Sequence, residues 1–97
     1  MPTYVALINW TDQGVKNFKD TVDRAAKAEE AMGKLGVKFK DFYWTVGQHD
    51  MVSIVEAQDS ESLAAALLMI ASQGNIRTTT LRAFNREEMG KIIEKAR

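Results

Sequence analysis

The chain has 97 residues, of which 45% are hydrophobic and 27% are charged, and its 13 basic residues balance 13 acidic ones. This length suits one domain, which we expect to span residues 1–97. The balanced charge argues against nucleic-acid binding, because neutralising phosphates needs an excess of positive side chains. The absence of cysteine excludes disulfides, thiolate nucleophiles and cysteine metal ligands.

The N-terminal segment predicts a strand from Thr3 to Trp10, because it is rich in β-forming residues and lacks helical periodicity. Its apolar run is too short for a signal peptide or a membrane span, and no basic region precedes it. We therefore expect a soluble, cytoplasmic protein that does not bind membranes. Both faces of this strand are apolar, whereas a strand with one face in water alternates more cleanly.

A long first helix is predicted next, capped by Thr11 or Asp12 and closed by Gly36, which takes a left-handed conformation cheaply. Apolar residues recur along it at spacings of three and four, which indicates one buried stripe. Charged residues, Arg24 among them, are expected on its remaining, solvent-facing surface. The stripe consists of Val15, Phe18, Val22, Ala25, Ala26, Met32 and Leu35.

Two strands joined by a tight turn are predicted in the middle of the chain. The first runs from Val37 to Val46, and its apolar residues change parity, so we expect a β-bulge near Lys40-Asp41. Gly47-Gln48 suits a tight hairpin turn, and Asp50 to Ala57 forms the next strand.

The C-terminal third predicts a helix, a strand and a short helix. Asp59 or Ser60 caps a helix that ends at Gly74, and a strand follows from Ile76 to Phe84. The final helix begins at a capping box in which Asn85 takes the role of serine.

The element order β-α-β-β-α-β, followed by a short helix, predicts an α+β fold of the ferredoxin-like type, with an antiparallel four-stranded sheet. Two long helices cover only one face of such a sheet. The other face carries apolar residues, and an exposed apolar face marks an interaction surface. Because homo-oligomers mostly use two-fold contacts, we expect a homodimer, or a higher oligomer, with the open sheet faces packed together.

The chain also resembles the GYD-domain family over nearly its whole length. The segments that carry the resemblance are Tyr4-Val5-Ala6-Leu7-Ile8-Asn9-Trp10-Thr11, Tyr43-Trp44-Thr45 and Arg77-Thr78-Thr79-Thr80-Leu81-Arg82-Ala83-Phe84. In the glycine-tyrosine-aspartate signature of that family, Gly47 and Asp50 match, but His49 stands where tyrosine is usual. The resemblance implies a dimeric α/β barrel, an architecture that hosts monooxygenases, isomerases, haem enzymes and ligand-sensing domains, so it constrains function poorly.

His49-Asp50 is the pair that we predict as catalytic, if the protein has a catalytic site. Histidine titrates near neutral pH and a carboxylate can orient it, which suits proton transfer. Neighbours in an extended strand point to opposite faces, however, so the two pair only if the turn twists them together. Asp50 could equally bind backbone amides and fix the hairpin.

Six further residues are candidates for ligand binding. Trp10, Tyr43 and Trp44 could line an aromatic pocket, although such residues more often anchor a core or an interface. Asn9 could present its amide to a ligand or cap the next helix. Arg77 and Arg82 could clamp a carboxylate, or could pair across the sheet with Glu56 or Asp41.

No metal site and no cofactor are predicted. One histidine without cysteine leaves only carboxylates as further ligands, and they show no metal-binding spacing. His49 could serve as an axial haem ligand, but no second feature of the sequence supports a haem site.

Three functions remain open. The first is a small-ligand-binding or regulatory homodimer. The second is a cofactor-free enzyme of the monooxygenase or isomerase type that uses His49 or Asp50 in proton transfer. The third is a purely structural or partner-binding module, whose working surface is the open sheet face.

Overall fold

The computed structural model describes residues 1–97 and has the predicted order of elements. The strands are β1 (Thr3–Trp10), β2 (Val37–Trp44), β3 (Met51–Ala57) and β4 (Ile76–Ala83). The helices are α1 (Asp12–Lys16), α2 (Thr21–Gly33), α3 (Ser60–Ala71) and α4 (Arg86–Lys95), and a 3₁₀ turn at Phe18–Asp20 joins α1 to α2. The ferredoxin-like α+β fold is therefore confirmed.

The strands form one antiparallel sheet in the order β2-β3-β1-β4. Tyr4 on the central strand β1 lies opposite Val55 of β3 and Arg82 of β4. Because directly opposed residues share a face, this register assigns every strand position to one of the two faces. A shift in the β2–β3 register between Phe39 and Asp41 confirms the predicted bulge.

One face of the sheet carries the buried core. Its central side chains contact α2 and α3 through Met32, Leu63 and Ile70, all of which are buried. The strand residues of this core are Tyr4, Ala6, Ile8, Val37, Met51, Val55 and Ala57. Burying these apolar surfaces is the main stabilising contribution of the fold.

The first helix is shorter than predicted, and its apolar stripe is only partly buried. The helix breaks at Asn17, and Val15, Phe18 and Val22 are 46%, 54% and 64% exposed. α1 also docks closely on the loop before β4, because a Cβ on Gly14 would come within 2.0 Å of the Asn75 carbonyl oxygen. Tertiary contact thus overrides the periodicity.

The predicted two-residue hairpin turn is wrong. The strands end at Trp44 and restart at Met51, and the loop between them is closed by a hydrogen bond from Thr45 N–H to the Asp50 carbonyl at 2.8 Å. Gly47 has a φ of 141°, which the absence of a Cβ permits. The longer loop carries both His49 and Asp50.

The second sheet face has no helix over it. Val5, Leu7, Val52, Ile54 and Leu81 share this face, as the register requires. The C-terminal helix α4 does not fold over it and packs extensively against no other element. The predicted capping box is confirmed, since the Asn85 side chain accepts from Glu88 N–H at 2.8 Å and Glu88 accepts from Asn85 N–H at 2.9 Å.

None of the four helices combines the length and the apolar character that crossing a bilayer would require.

Candidate functional site

His49 is held by the side chain of Asn9 at the end of β1. The distance between His49 Nδ1 and Asn9 Oδ1 is 2.8 Å, and Asn9 Nδ2 donates to the Gln48 carbonyl at 3.1 Å. Since an amide oxygen only accepts, Nδ1 carries the proton in this arrangement. Nε2 is then the ring atom that could accept a proton or a ligand hydrogen bond.

Asp50 is held by the main chain of the same strand. Its Oδ2 accepts a hydrogen bond from Trp10 N–H at 2.9 Å, and its own N–H donates to the Ile8 carbonyl at 2.9 Å. These two bonds extend the β1–β3 ladder beyond its last paired residues. They give Asp50 the backbone-fixing role that its position after a turn suggested.

His49 and Asp50 lie side by side in sequence, but their side chains are not hydrogen-bonded to each other. His49 is bonded to an amide side chain and Asp50 to a backbone amide, and no hydrogen bond joins the two. General acid–base catalysis through a histidine needs an orienting group and a reacting group within hydrogen-bond reach. Asn9 is the group that orients the His49 ring.

The three candidate aromatic residues are divided between the two faces. Trp10 and Trp44 lie on the helix side, where Trp44 Nε1 donates to Thr21 Oγ1 at 3.0 Å and the Trp44 ring lies 4.9 Å from the Phe42 ring. Tyr43 lies opposite Val52 on the open face and is 58% exposed. A single pocket lined by all three does not exist.

The two candidate arginines also lie on opposite faces. Arg82 shares the face of Tyr4, where its guanidinium lies 5.6 Å from the Tyr4 ring centre and 4.4 Å from that of Phe84. It donates to the carbonyls of Thr3 and Ala83 and lies 3.8 Å from Glu88.

Arg77 lies opposite Asn9 on the open face and has no carboxylate within ion-pair distance. The alternative pairing of either arginine with Glu56 or Asp41 does not form. Glu56 instead lies 4.0 Å from Lys40. The reason is topological: β1 lies between β4 and β3, which carries Glu56, and both β1 and β3 lie between β4 and β2, which carries Asp41.

A cavity of about 70 Å³ lies between the sheet and the helices α2 and α3. Most of its lining is apolar, and the only charged residue in the lining is Arg24. It is smaller than the roughly 300–1,000 Å³ that is usual for drug-sized ligands. Of the residues proposed from sequence, only Trp10 contributes to it.

The sequence pattern predicts Arg24 on the solvent face of the first helix, and this prediction is wrong. The side chain is only partly exposed, and it lines the cavity together with Thr21, Ala28 and Met32. These positions follow the helical repeat of α2 at spacings of three and four, so they share its inner face. The sequence signal that could have placed Arg24 correctly is its spacing: Arg24 lies four residues before Ala28 and eight before Met32, on the helix face that meets the core.

No group of three histidine, aspartate or glutamate side chains lies close enough together to hold a metal ion. The one carboxyl whose pKa clearly shifts is Asp59, where the backbone N–H of Ser62 lowers the pKa of the capping carboxylate. That group caps α3 and lies outside the cavity lining.

Comparison with known proteins agrees with this architecture. The family model described as "GYD domain" matches residues 4–93. The chain belongs to the GYD-domain family. Within that family signature, His49 occupies the loop that Gly47 and Asp50 frame.

A relative of this GYD-domain protein is the "glutamine synthetase and cystathionine beta-lyase binding protein" of Thermus thermophilus. The two are 33% identical over 84 residues, which cover 86% of this chain and 88% of the relative. A crystal structure of a Thermus thermophilus protein, 28% identical, covers 88% of this chain and 95% of its own, with a TM-score of 0.57.

A more distant structural neighbour is a feast or famine regulatory protein of Mycobacterium tuberculosis in complex with L-methionine. It has a TM-score of 0.66 at 20% identity, and the match covers 88% of this chain. The GYD-domain chain spans about half (51%) of that regulator's length. At this identity the likeness establishes the fold alone.

Proposed function

We propose that this GYD-domain protein is a non-catalytic regulatory binding module that works as a homodimer. The observation that carries the proposal is the uncovered sheet face formed by Val5, Leu7, Val52, Ile54 and Leu81. Leu81 is 49% exposed in the single chain. An apolar face of this kind is stabilised by covering it, and a second copy offers a face of identical chemistry.

The C-terminal helix supports the same assembly. Its apolar residues include Met89 and Ile93, which are 47% and 51% exposed, although the helix is capped and amphipathic. A helix of ten residues is marginal in water without tertiary packing. We infer that α4 packs against the partner subunit in the dimer.

The non-catalytic part of the proposal rests on the bonds made by His49 and Asp50. His49 Nδ1 is bonded to Asn9 and Asp50 Oδ2 to the Trp10 backbone, and no hydrogen bond joins either side chain to a nucleophile or a second acid. The cofactor-free enzyme, in which His49 or Asp50 moves a proton, stays a prediction from sequence. It would require that Asp50→Asn abolish a turnover that the folded dimer otherwise shows.

The relative from Thermus thermophilus suggests the class of partner, because its name describes binding to two metabolic enzymes. We propose that this chain likewise binds an enzyme of amino-acid metabolism, with glutamine synthetase as the first candidate. Dimerisation through the sheet leaves the helical layer free. The exposed apolar cluster of Val15, Phe18 and Val22 on that layer is the contact surface that we propose for the enzyme.

Sedimentation equilibrium at micromolar concentration tests the dimer. Leu81→Glu introduces a charge into the open face and should give a monomer, because burying an unpaired carboxylate is costly. Leu68→Glu is the matched control, since Leu68 lies on α3 and is 72% exposed. It should leave the dimer intact, and a monomeric parent protein would overturn the proposal.

Biolayer interferometry with purified glutamine synthetase tests the partner. The immobilised dimer should bind the enzyme saturably, and Phe18→Glu should weaken binding at least about tenfold, as expected for a central apolar contact. Binding that Phe18→Glu leaves unchanged would refute the proposed surface. The absence of any binding would refute this choice of enzyme.

A further inference from the structure

The cavity under α2 and α3 is apolar at one end and polar at the other. Met32 and Leu63 of the main core line one end. Trp10, Arg24 and Thr78 line the other, where β1 ends, β4 begins and α2 starts. A cavity that divides in this way suits a molecule with an apolar body and one polar head.

The polar end has a single charge, which is positive. Arg24 is the only charged residue of the lining, and no carboxylate neutralises it there. Its guanidinium is held in place by the Asn17 carbonyl, 2.7 Å from Nη1, and by the Gly14 carbonyl, 3.2 Å from Nη2. An arginine has five N–H donors, so donors remain for an anion.

Trp10, which lines the cavity, carries a donor that has no partner in the protein. The indole Nε1 of Trp10 is buried and makes no hydrogen bond, although buried indole N–H groups usually find an acceptor. An oxygen acceptor bound in the cavity would satisfy this group and would remove the cost of its desolvation.

We propose that the cavity binds a short-chain aliphatic monocarboxylate. Its carboxylate accepts hydrogen bonds from Arg24 and from the Trp10 indole, and its hydrocarbon tail lies toward Met32 and Leu63. The cavity volume of about 70 Å³ lies well below the roughly 300–1,000 Å³ of drug-sized sites, which restricts the ligand to a short chain. This inference deepens the proposed regulatory function by naming the class of effector, and the site lies on the opposite side of the sheet from the dimer face.

Titration of the ¹⁵N-labelled protein with 3-methylbutanoate, followed by NMR, tests the site. The indole N–H resonance of Trp10 should shift saturably. The amide of the same acid, which has the same shape but no charge, should bind at least about tenfold more weakly, because charge-assisted hydrogen bonds are roughly twice as strong as neutral ones. Equal binding of the acid and the amide would overturn the carboxylate assignment.

Two variants and one control locate the binding. Arg24→Gln should weaken binding at least about tenfold by removing the charge, whereas Lys27→Gln removes an exposed charge of the same helix and should change nothing. Ala28→Leu fills the cavity while keeping the Arg24 charge, and it should abolish binding even if Arg24→Gln fails to fold. Normal binding by Ala28→Leu, or no saturable Trp10 shift in the parent protein, would overturn the site.

This test separates failure of the site from failure of the proposed dimer. The monomeric Leu81→Glu variant should still bind 3-methylbutanoate, because every residue of the site belongs to one chain. A dimer without acid binding would therefore overturn only the effector site, and acid binding by a monomeric parent protein would overturn only the dimer.

Discussion

The carboxylate of Asp50 accepts a hydrogen bond from the backbone N–H of Trp10 at 2.9 Å, across a sequence separation of 40 residues. This bond continues the pairing of β1 with β3 past the last residue pair of the ladder, Ile8 and Met51. It ties the loop of residues 45–50 to the point where β1 leaves the sheet for α1. Asp50, a residue of the family signature, thus has a structural role in this chain: it holds the loop against the end of β1.

Replacing Asp50 by alanine should lower the free energy of unfolding by about 1–2 kcal/mol, as for a partly buried hydrogen bond to a charged acceptor. Asp50→Asn keeps an acceptor oxygen and should cost less. Urea denaturation of both variants measures the difference. An alanine variant as stable as the parent protein would contradict this structural role.

His49→Ala should have a smaller effect on stability than Asp50→Ala. The bond of His49 to Asn9 is between exposed side chains, so its loss should cost about 0.5 kcal/mol or less. Thermal unfolding followed by circular dichroism compares the two variants under one condition. If His49→Ala lowered the unfolding temperature more than Asp50→Ala does, the main contact that holds the loop would be that of His49.

Gly14 is the glycine whose substitution should damage the fold most. A Cβ at this position would lie 2.0 Å from the backbone oxygen of Asn75, so α1 would have to move off the loop that precedes β4. Gly14→Ala should cost roughly 1–3 kcal/mol or more, as overpacking does. Chemical denaturation provides the measurement.

Gly33→Ala is the matched control for that substitution. Gly33 lies at the end of α2, and a Cβ there meets nothing within 4 Å. Alanine in a helix is favoured over glycine by up to about 1 kcal/mol, so the control should be neutral or stabilising. If Gly14→Ala lowered the free energy of unfolding no more than Gly33→Ala does, α1 would tolerate displacement from the loop before β4.

Trp44 fastens the end of β2 to the start of α2 through its hydrogen bond to Thr21 Oγ1 at 3.0 Å. Trp44→Phe and Thr21→Val each remove one partner of this bond. A double-mutant cycle should give a coupling energy of about 0.5–1 kcal/mol, because the bond is exposed. Additive effects would mean that the contact contributes nothing measurable to stability.

Asp59 should make stability depend on pH in the acid range. Its carboxylate accepts from Ser62 N–H at 2.7 Å, and this bond lowers the pKa of Asp59 below the ordinary 3.8. The stabilisation is therefore fully present above that value and is lost as the pH falls through the lowered pKa. Asp59→Asn keeps a cap without this titration, so the difference in urea midpoint between parent and variant should shrink on acidification. A difference independent of pH would contradict the assignment.

Much of the fold could be read from local patterns. The order of elements, the two faces of β1, the bulge after Phe39 and the capping box at Asn85 were all predicted correctly, because each depends on neighbouring residues alone. Alternation assigns residues to faces, and cap chemistry marks where helices begin. The pairing of residues that are distant in sequence has no comparable local signal.

The sequence by itself therefore determined the ferredoxin-like arrangement and the existence of an uncovered apolar face. Only the tertiary structure decided which polar residues meet. It gave His49 and Asp50 different hydrogen-bond partners, Asn9 and the Trp10 backbone. It also placed Arg77 and Arg82 on opposite sheet faces and Arg24 in the lining of the cavity, together with Trp10. The physical reason is that side-chain partners depend on strand order, helix docking and loop path, which are set by packing over the whole chain and not by the periodicity of any one segment.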